Sequence, residues 1–226
     1  MSVEWSIISI GAMACNLLWQ ETRPVRTQHA TTTLVTHGQR RILVDPSLPA
    51  EILAARLGER TGLKPEQITD VFCTTLHPSA RRGLDAFGNA RHWAGETEIE
   101  SYARRLEALS ESADRLDTDD AANVRAEIET IRRFEAAPET FSEMVDIFPL
   151  AGATPGCTGL LLTPPTRTLL VAGPAVATAG YLTAGMVWQD ATDTKAAMAS
   201  LRDVLEVAEI IVPGFDNVTF VPGRWM

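Results

Sequence analysis

Long apolar runs are missing from this 226-residue chain. No stretch reaches the roughly 18 consecutive apolar residues of a membrane-spanning helix, so no membrane partner is expected. Cysteine is scarce: Cys15, Cys73 and Cys157 are odd in number, far apart and without a Cys-x-x-Cys pair. That pattern argues against a disulfide framework and fits a reducing, cytoplasmic setting. Positive charge is short as well, with 20 Lys and Arg against 29 Asp and Glu. The Arg pairs at 40–41, 81–82, 104–105 and 132–133 are scattered among acids, so no nucleic-acid partner is expected. A Gly-x-Ser-x-Gly elbow, a Ser-His-Asp spacing and a phosphate-cradling glycine loop with Lys are all absent. The apolar stretch Trp5–Trp19 lacks a positive flank, carries Glu4 early and is broken by Ser6, Ser9, Gly11 and Asn16. It reads as a first core strand rather than a leader.

What is present is the composition of an ordinary globular protein, with 45% hydrophobic and 22% charged residues. Strands are expected at Ile7–Ile10, Thr31–Thr36 and Arg41–Val44, the last two forming a hairpin through His37-Gly38-Gln39. Pro49 is placed to open a helix over Ala50–Glu59, and Gly62 to end it. A buried strand follows at Asp70–Thr74. From Glu96 to about Ala136 two runs of helical periodicity, separated at Asp117–Asp120, predict a helical hairpin. This hairpin serves as a cover packed on a sheet or as a dimer face. Strands at Met144–Pro149, Gly159–Thr163, Thr168–Ala172 and Ile210–Val212, with a helix over Asp193–Ala208, complete an α/β layered chain of one domain, 1–226.

Five stretches in order carry a resemblance. Thr32, Leu34 and Val35 followed by Ile42-Leu43-Val44-Asp45 form a strand pair ending in an aspartate. Val71–Ala80 holds His77 in a strand-to-loop segment. Then come Thr154-Pro155-Gly156-Cys157-Thr158-Gly159, Leu170-Val171-Ala172-Gly173-Pro174, and Ile211-Val212-Pro213-Gly214-Phe215-Asp216. Together they resemble the metallo-β-lactamase superfamily over roughly Ile7–Phe220. The resemblance implies a four-layer αββα sandwich into which the helical hairpin is inserted.

It also implies a di-metal site, whose ligand positions can be carried over one at a time. The His-x-His-x-Asp-His motif falls on Thr75, His77, Ser79 and Ala80. The next histidine falls on Cys157, the bridging aspartate on Pro174 and the last histidine on Phe215. Asp45 stands where the family has an aspartate that supports the ligands from behind; here it is expected to cap the loop and the next helix. Only His77 is retained. Hydroxyls are poor zinc ligands and Ala, Pro and Phe offer none, so no metal and no cofactor are expected, with zinc on an altered shell as the alternative.

No catalytic residue is assigned. His77 and Cys157 are the weak candidates, because a Cys–His pair could act as nucleophile and base. His29, before the second strand, and His92, beside Trp93 in a loop, lie outside the motifs and read as surface or packing residues, and His37 reads as a hairpin turn residue. The first functional expectation is a non-catalytic member of the fold with a repacked site, a structural or ligand-binding protein that pairs with itself or an active relative through the hairpin. A hydrolase of small esters or thioesters, with a single-metal or Cys/His site, is the second. The third is a metal-free small-molecule binding module.

Overall fold

The computed structural model describes residues 2–111 and 118–221. Strands β1 (Glu4–Ser9), β2 (Thr32–His37), β3 (Arg40–Val44), β4 (Asp70–Cys73), β5 (Arg91–Ala94) and β6 (Phe134–Ala136) form a first sheet in sequence order. β1, β2 and β3 pair antiparallel, and β3 through β6 pair parallel. The second sheet, in order 12-11-10-9-8-7, comprises β7 (Thr140–Ser142), β8 (Val145–Pro149), β9 (Thr158–Leu162), β10 (Leu169–Gly173), β11 (Ile210–Pro213) and β12 (Thr219–Phe220). Its pairs are antiparallel except for parallel β10 and β11. The helices are α1 (Ala50–Thr61), α2 (Pro78–Arg81), α3 (Glu96–Glu111), α4 (Thr118–Ile131), α5 (Ala179–Ala184) and α6 (Thr194–Val207).

The two-residue period of the strands sorts their side chains into three cores. Ile42, Val44 and Phe72 face Leu160, Leu169, Val171 and Val212 between the sheets. The alternate residues Leu43, Val71 and Cys73 turn outward onto Leu53 and Leu57 of α1, Leu106 of α3 and Ile131 of α4. On the far side, Leu170, Ala172 and Ile211 pack on Tyr181, Leu201 and Val204 of α5 and α6. This is the four-layer αββα order. The helical hairpin is present, and its apolar stripe covers the first sheet.

Several local expectations need correction. His92 and Trp93 stand in β5 rather than in a loop: His92 is buried and its Nε2 lies 3.1 Å from the Phe87 carbonyl. β5 carries Arg, His and Trp in four residues and shows no β-branched alternation, which hid it. The stretch 96–136 is not wholly helical, because Phe134–Ala136 adds strand β6 at the sheet edge. Thr118–Asp120 open α4 instead of breaking the hairpin, and Asp117 lies outside the described residues. His37 closes β2, and the turn proper is Gly38-Gln39. Leu109, placed on the apolar stripe by its spacing, is 41% exposed.

Candidate functional site

The ends of β3, β4, β5, β10 and β11 and the start of β9 meet along one edge of the sandwich, and every residue singled out by the motif comparison sits there. Thr158 N donates to the Thr74 carbonyl at 3.0 Å, tying β9 to the end of β4 across the two sheets. Gly173 has φ +53°, and a Cβ there would lie 2.2 Å from Thr74 Oγ1. Gly156 comes closer still: its Cβ would fall 2.0 Å from the Glu98 backbone nitrogen. Only glycine permits these approaches.

Two buried carboxylates organise the floor. Asp45 is 1% exposed, and its oxygens accept from Thr74 N at 2.8 Å and Thr74 Oγ1 at 2.7 Å. Burial pushes its pKa up from 3.8 to about 7, against the opposing pull of the two Thr74 hydrogen bonds. Asp45 therefore does not cap α1; the residue ahead of that helix is Pro49, with no side-chain cap. Glu98, in the first turn of α3, is 2% exposed. It accepts from Thr75 Oγ1 at 2.8 Å, Leu76 N at 2.9 Å and Gly156 N at 3.1 Å. One side chain thus joins the β4–α2 loop to the turn that precedes β9.

His77 opens α2. Ser79 N donates to its Nδ1 at 3.2 Å, and Ser79 Oγ lies 2.7 Å from the same atom. An Nδ1 that accepts from an amide carries no proton, so in the neutral ring the proton sits on Nε2. Burial lowers the His77 pKa, assisted by the positive charges of Arg81 and Arg105. The His77 ring meets Trp188 edge-on at 6.1 Å, and Trp188 lies 5.5 Å from Phe215. Trp188 and Phe215 are 5% and 6% exposed.

The remaining positions are packed. Ala80 and Cys157 are each 1% exposed and Pro174 is buried. Burial, with the negative charges of Glu98 and Asp45, raises the Cys157 thiol well above its ordinary value, and a backbone hydrogen bond from Ala175 only partly opposes this. No hydrogen bond joins Cys157 to His77 among the described residues. Nor do more distant groups turn in. His29 faces the Thr27 and Ile10 carbonyls, each at 3.2 Å, and Asp216 Oδ2 accepts from Ala179 N at 3.1 Å. No three His, Cys, Asp or Glu side chains are gathered as metal ligands would be, among the described residues.

Sequence reasoning missed Glu98, Trp188 and Arg81. Arg81 is 6% exposed; its Nε donates to the Leu76 carbonyl at 2.8 Å, and its guanidinium pairs with Glu127 and lies over Tyr102. An acid in the first turn of a helix that follows Gly95 was the available signal for Glu98. Trp188 had none, since it lies in an irregular segment.

Facing sheets clothed by helices, with the loops of one edge converging on a single cluster, define the αββα sandwich class. The sequence profile of the metallo-β-lactamase superfamily matches residues 26–214, and the chain belongs to that superfamily. A Thermotoga maritima protein provisionally assigned as a metallo-β-lactamase is similar in structure at TM-score 0.70 and 17% identity, over 97% of this chain and all of that one. AidC, a dizinc quorum-quenching lactonase bound to N-hexanoyl-L-homoserine, is similar at TM-score 0.64 and 16% identity, over 100% of this chain and 92% of its own. AbOPH, a hydrolase of the β-lactamase superfamily, matches over the same shares at TM-score 0.64 and 17% identity. At these identities the likeness concerns the fold. No curated protein matches the chain in sequence.

Proposed function

We propose that this chain is a non-catalytic member of its superfamily, in which a packed plug has replaced the metal-ligand shell and a metal-free cleft remains above it. The observation that carries this reading is the donor chemistry at the inherited positions. A stable zinc shell takes three or more imidazole, thiolate or carboxylate ligands. Thr75 spends its hydroxyl on Glu98, Ala80, Pro174 and Phe215 have no donor, and the Cys157 thiol is buried and held neutral. His77 directs Nδ1 to Ser79, which leaves one nitrogen, Nε2, for any other purpose. These residues do not fit a metal ion. Trp188 and Phe215 occupy the space in which a void would cost stability.

A relative that acts as a dizinc lactonase makes lactones the appropriate challenge. Untagged protein purified without chelator is expected to carry less than about a tenth of an equivalent of zinc, iron or manganese. It is expected to leave lactones, esters and thioesters unhydrolysed. Stoichiometric metal, or hydrolysis abolished by the His77→Ala substitution, would sink the proposal. The same preparation tests the cysteine alternative: iodoacetamide is expected to label half-buried Cys15, and Cys73 and Cys157 only after unfolding.

A further inference from the structure

A cleft of about 390 Å³ lies above the plug, lined by Gln28, His77, Arg105, Thr154, Trp188 and Asp190 among others. Its polar groups are conspicuously unspent. Trp188 Nε1 and Thr154 Oγ1 are buried and have no hydrogen-bond partner among the described residues. A native fold seldom keeps such groups without a further partner to satisfy them. The Nε2–H of neutral His77 likewise has no protein acceptor among the described residues. Arg105 and Asp190 are both exposed, share this cleft, and form no ion pair with each other or with any other described residue. A cation and an anion with no ion-pair partner among the described residues therefore line one small space, together with His77 and the Gln28 amide.

Beside the cleft a recess of about 130 Å³ shares His77, Arg105 and Thr154 with it and adds Tyr102, Pro155 and Glu98, whose carboxylate is spent on Thr75, Leu76 and Gly156, among its walls. Its surface is mainly apolar and it has room for a small aliphatic side chain.

We propose that this cleft binds a free α-amino acid with an aliphatic side chain. The carboxylate is received by Arg105 and the His77 Nε2–H, the ammonium by Asp190, and the side chain by the adjoining recess. Arg105 supplies a charge-assisted fork suited to a carboxylate. Asp190 distinguishes an amino acid from a simple organic acid, which it would repel. The inference rests on the metal-free reading of the site, because a metal shell would claim His77.

The test is isothermal titration of the full chain with leucine, isoleucine, valine and methionine. Isoamylamine and 4-methylpentanoate serve as the controls that lack one charged group. Saturable binding by at least one of the four is expected. Each of Arg105→Gln and Asp190→Asn should weaken it about tenfold, as should removing either charge from the ligand. Both residues are exposed, so the variants are expected to fold like the parent, checked by circular dichroism. No heat from any of the four amino acids, or binding indifferent to both charge substitutions, would overturn the inference. Metal content of the same preparation separates the two readings. Metal-loaded protein that still binds through Arg105 and Asp190 sinks the metal-free reading and the His77 contact with it, but not the amino-acid site. Metal-free protein blind to all four amino acids sinks only this one.

Discussion

Asp45 carries the sharpest single-residue consequence. The unfolded chain releases this proton near its ordinary value of 3.8, whereas the folded chain holds it to about 7. Between those values the native state binds more protons than the unfolded state, so stability falls as pH rises through the window and levels off above it. The part of the stability that depends on Asp45 should therefore be larger at pH 5 than at pH 8, against the opposite slope from His77 and His92, whose pKa values burial lowers. Asp45→Asn keeps an acceptor for Thr74 N and tolerates the φ of +50° found there. That variant should remove this share of the slope between about pH 4 and 7, as read by calorimetry across buffers. A second test at this scale concerns Trp188. Cutting it to Ala removes the ring that spans His77 and Phe215, and should cost about 3–5 kcal/mol in urea unfolding. A cost below about 1 kcal/mol would mean that the ring is not part of the core.

At the scale of elements, the helical hairpin is fastened at two points. Glu98 holds the β4–α2 loop and the 154–158 turn from α3, and Arg81 reaches from α2 to Glu127 on α4 and Tyr102 on α3. Glu98→Gln leaves one acceptor oxygen where three donors converge and turns an amide N–H₂ toward them. The expected loss is about 2–3 kcal/mol. Faster amide exchange should follow at 74–80 and 154–158, with that over β1 and β2 unchanged. The elements themselves were largely legible in sequence where a period is strong. Arg41–Val44, Ala50–Glu59 and Asp193–Ala208 were found to within two residues, because β-branched alternation or a capped helical stripe marks them. β5 and β6 were not: each is three or four residues long, and β6 follows directly from α4. The motif order likewise placed Thr75, His77, Cys157, Pro174 and Phe215 at one edge. Trp188 arrives there only through long-range packing, which no local spacing records, and the first-turn acid that marks Glu98 does not tell which loops it joins.

For the molecule as a whole, the packing rests on three cores in four layers. On the metal-free reading proposed above, millimolar chelator should leave the melting temperature unchanged within about 1 °C, whereas a fold stabilised by bound metal loses several degrees when the ion is withdrawn. The described residues contain no helix long and apolar enough to cross a membrane.

Gly156 and Gly173 have a consequence that outlasts any chemistry at the site. Their missing side chains are filled by the Glu98 backbone and the Thr74 hydroxyl. In a saturation-mutagenesis library selected only for solubility, these two positions should stay frozen while Ser79 accepts alanine. Steric confinement of the chain at its turns would thus fix the outline of this edge whatever side chains line it.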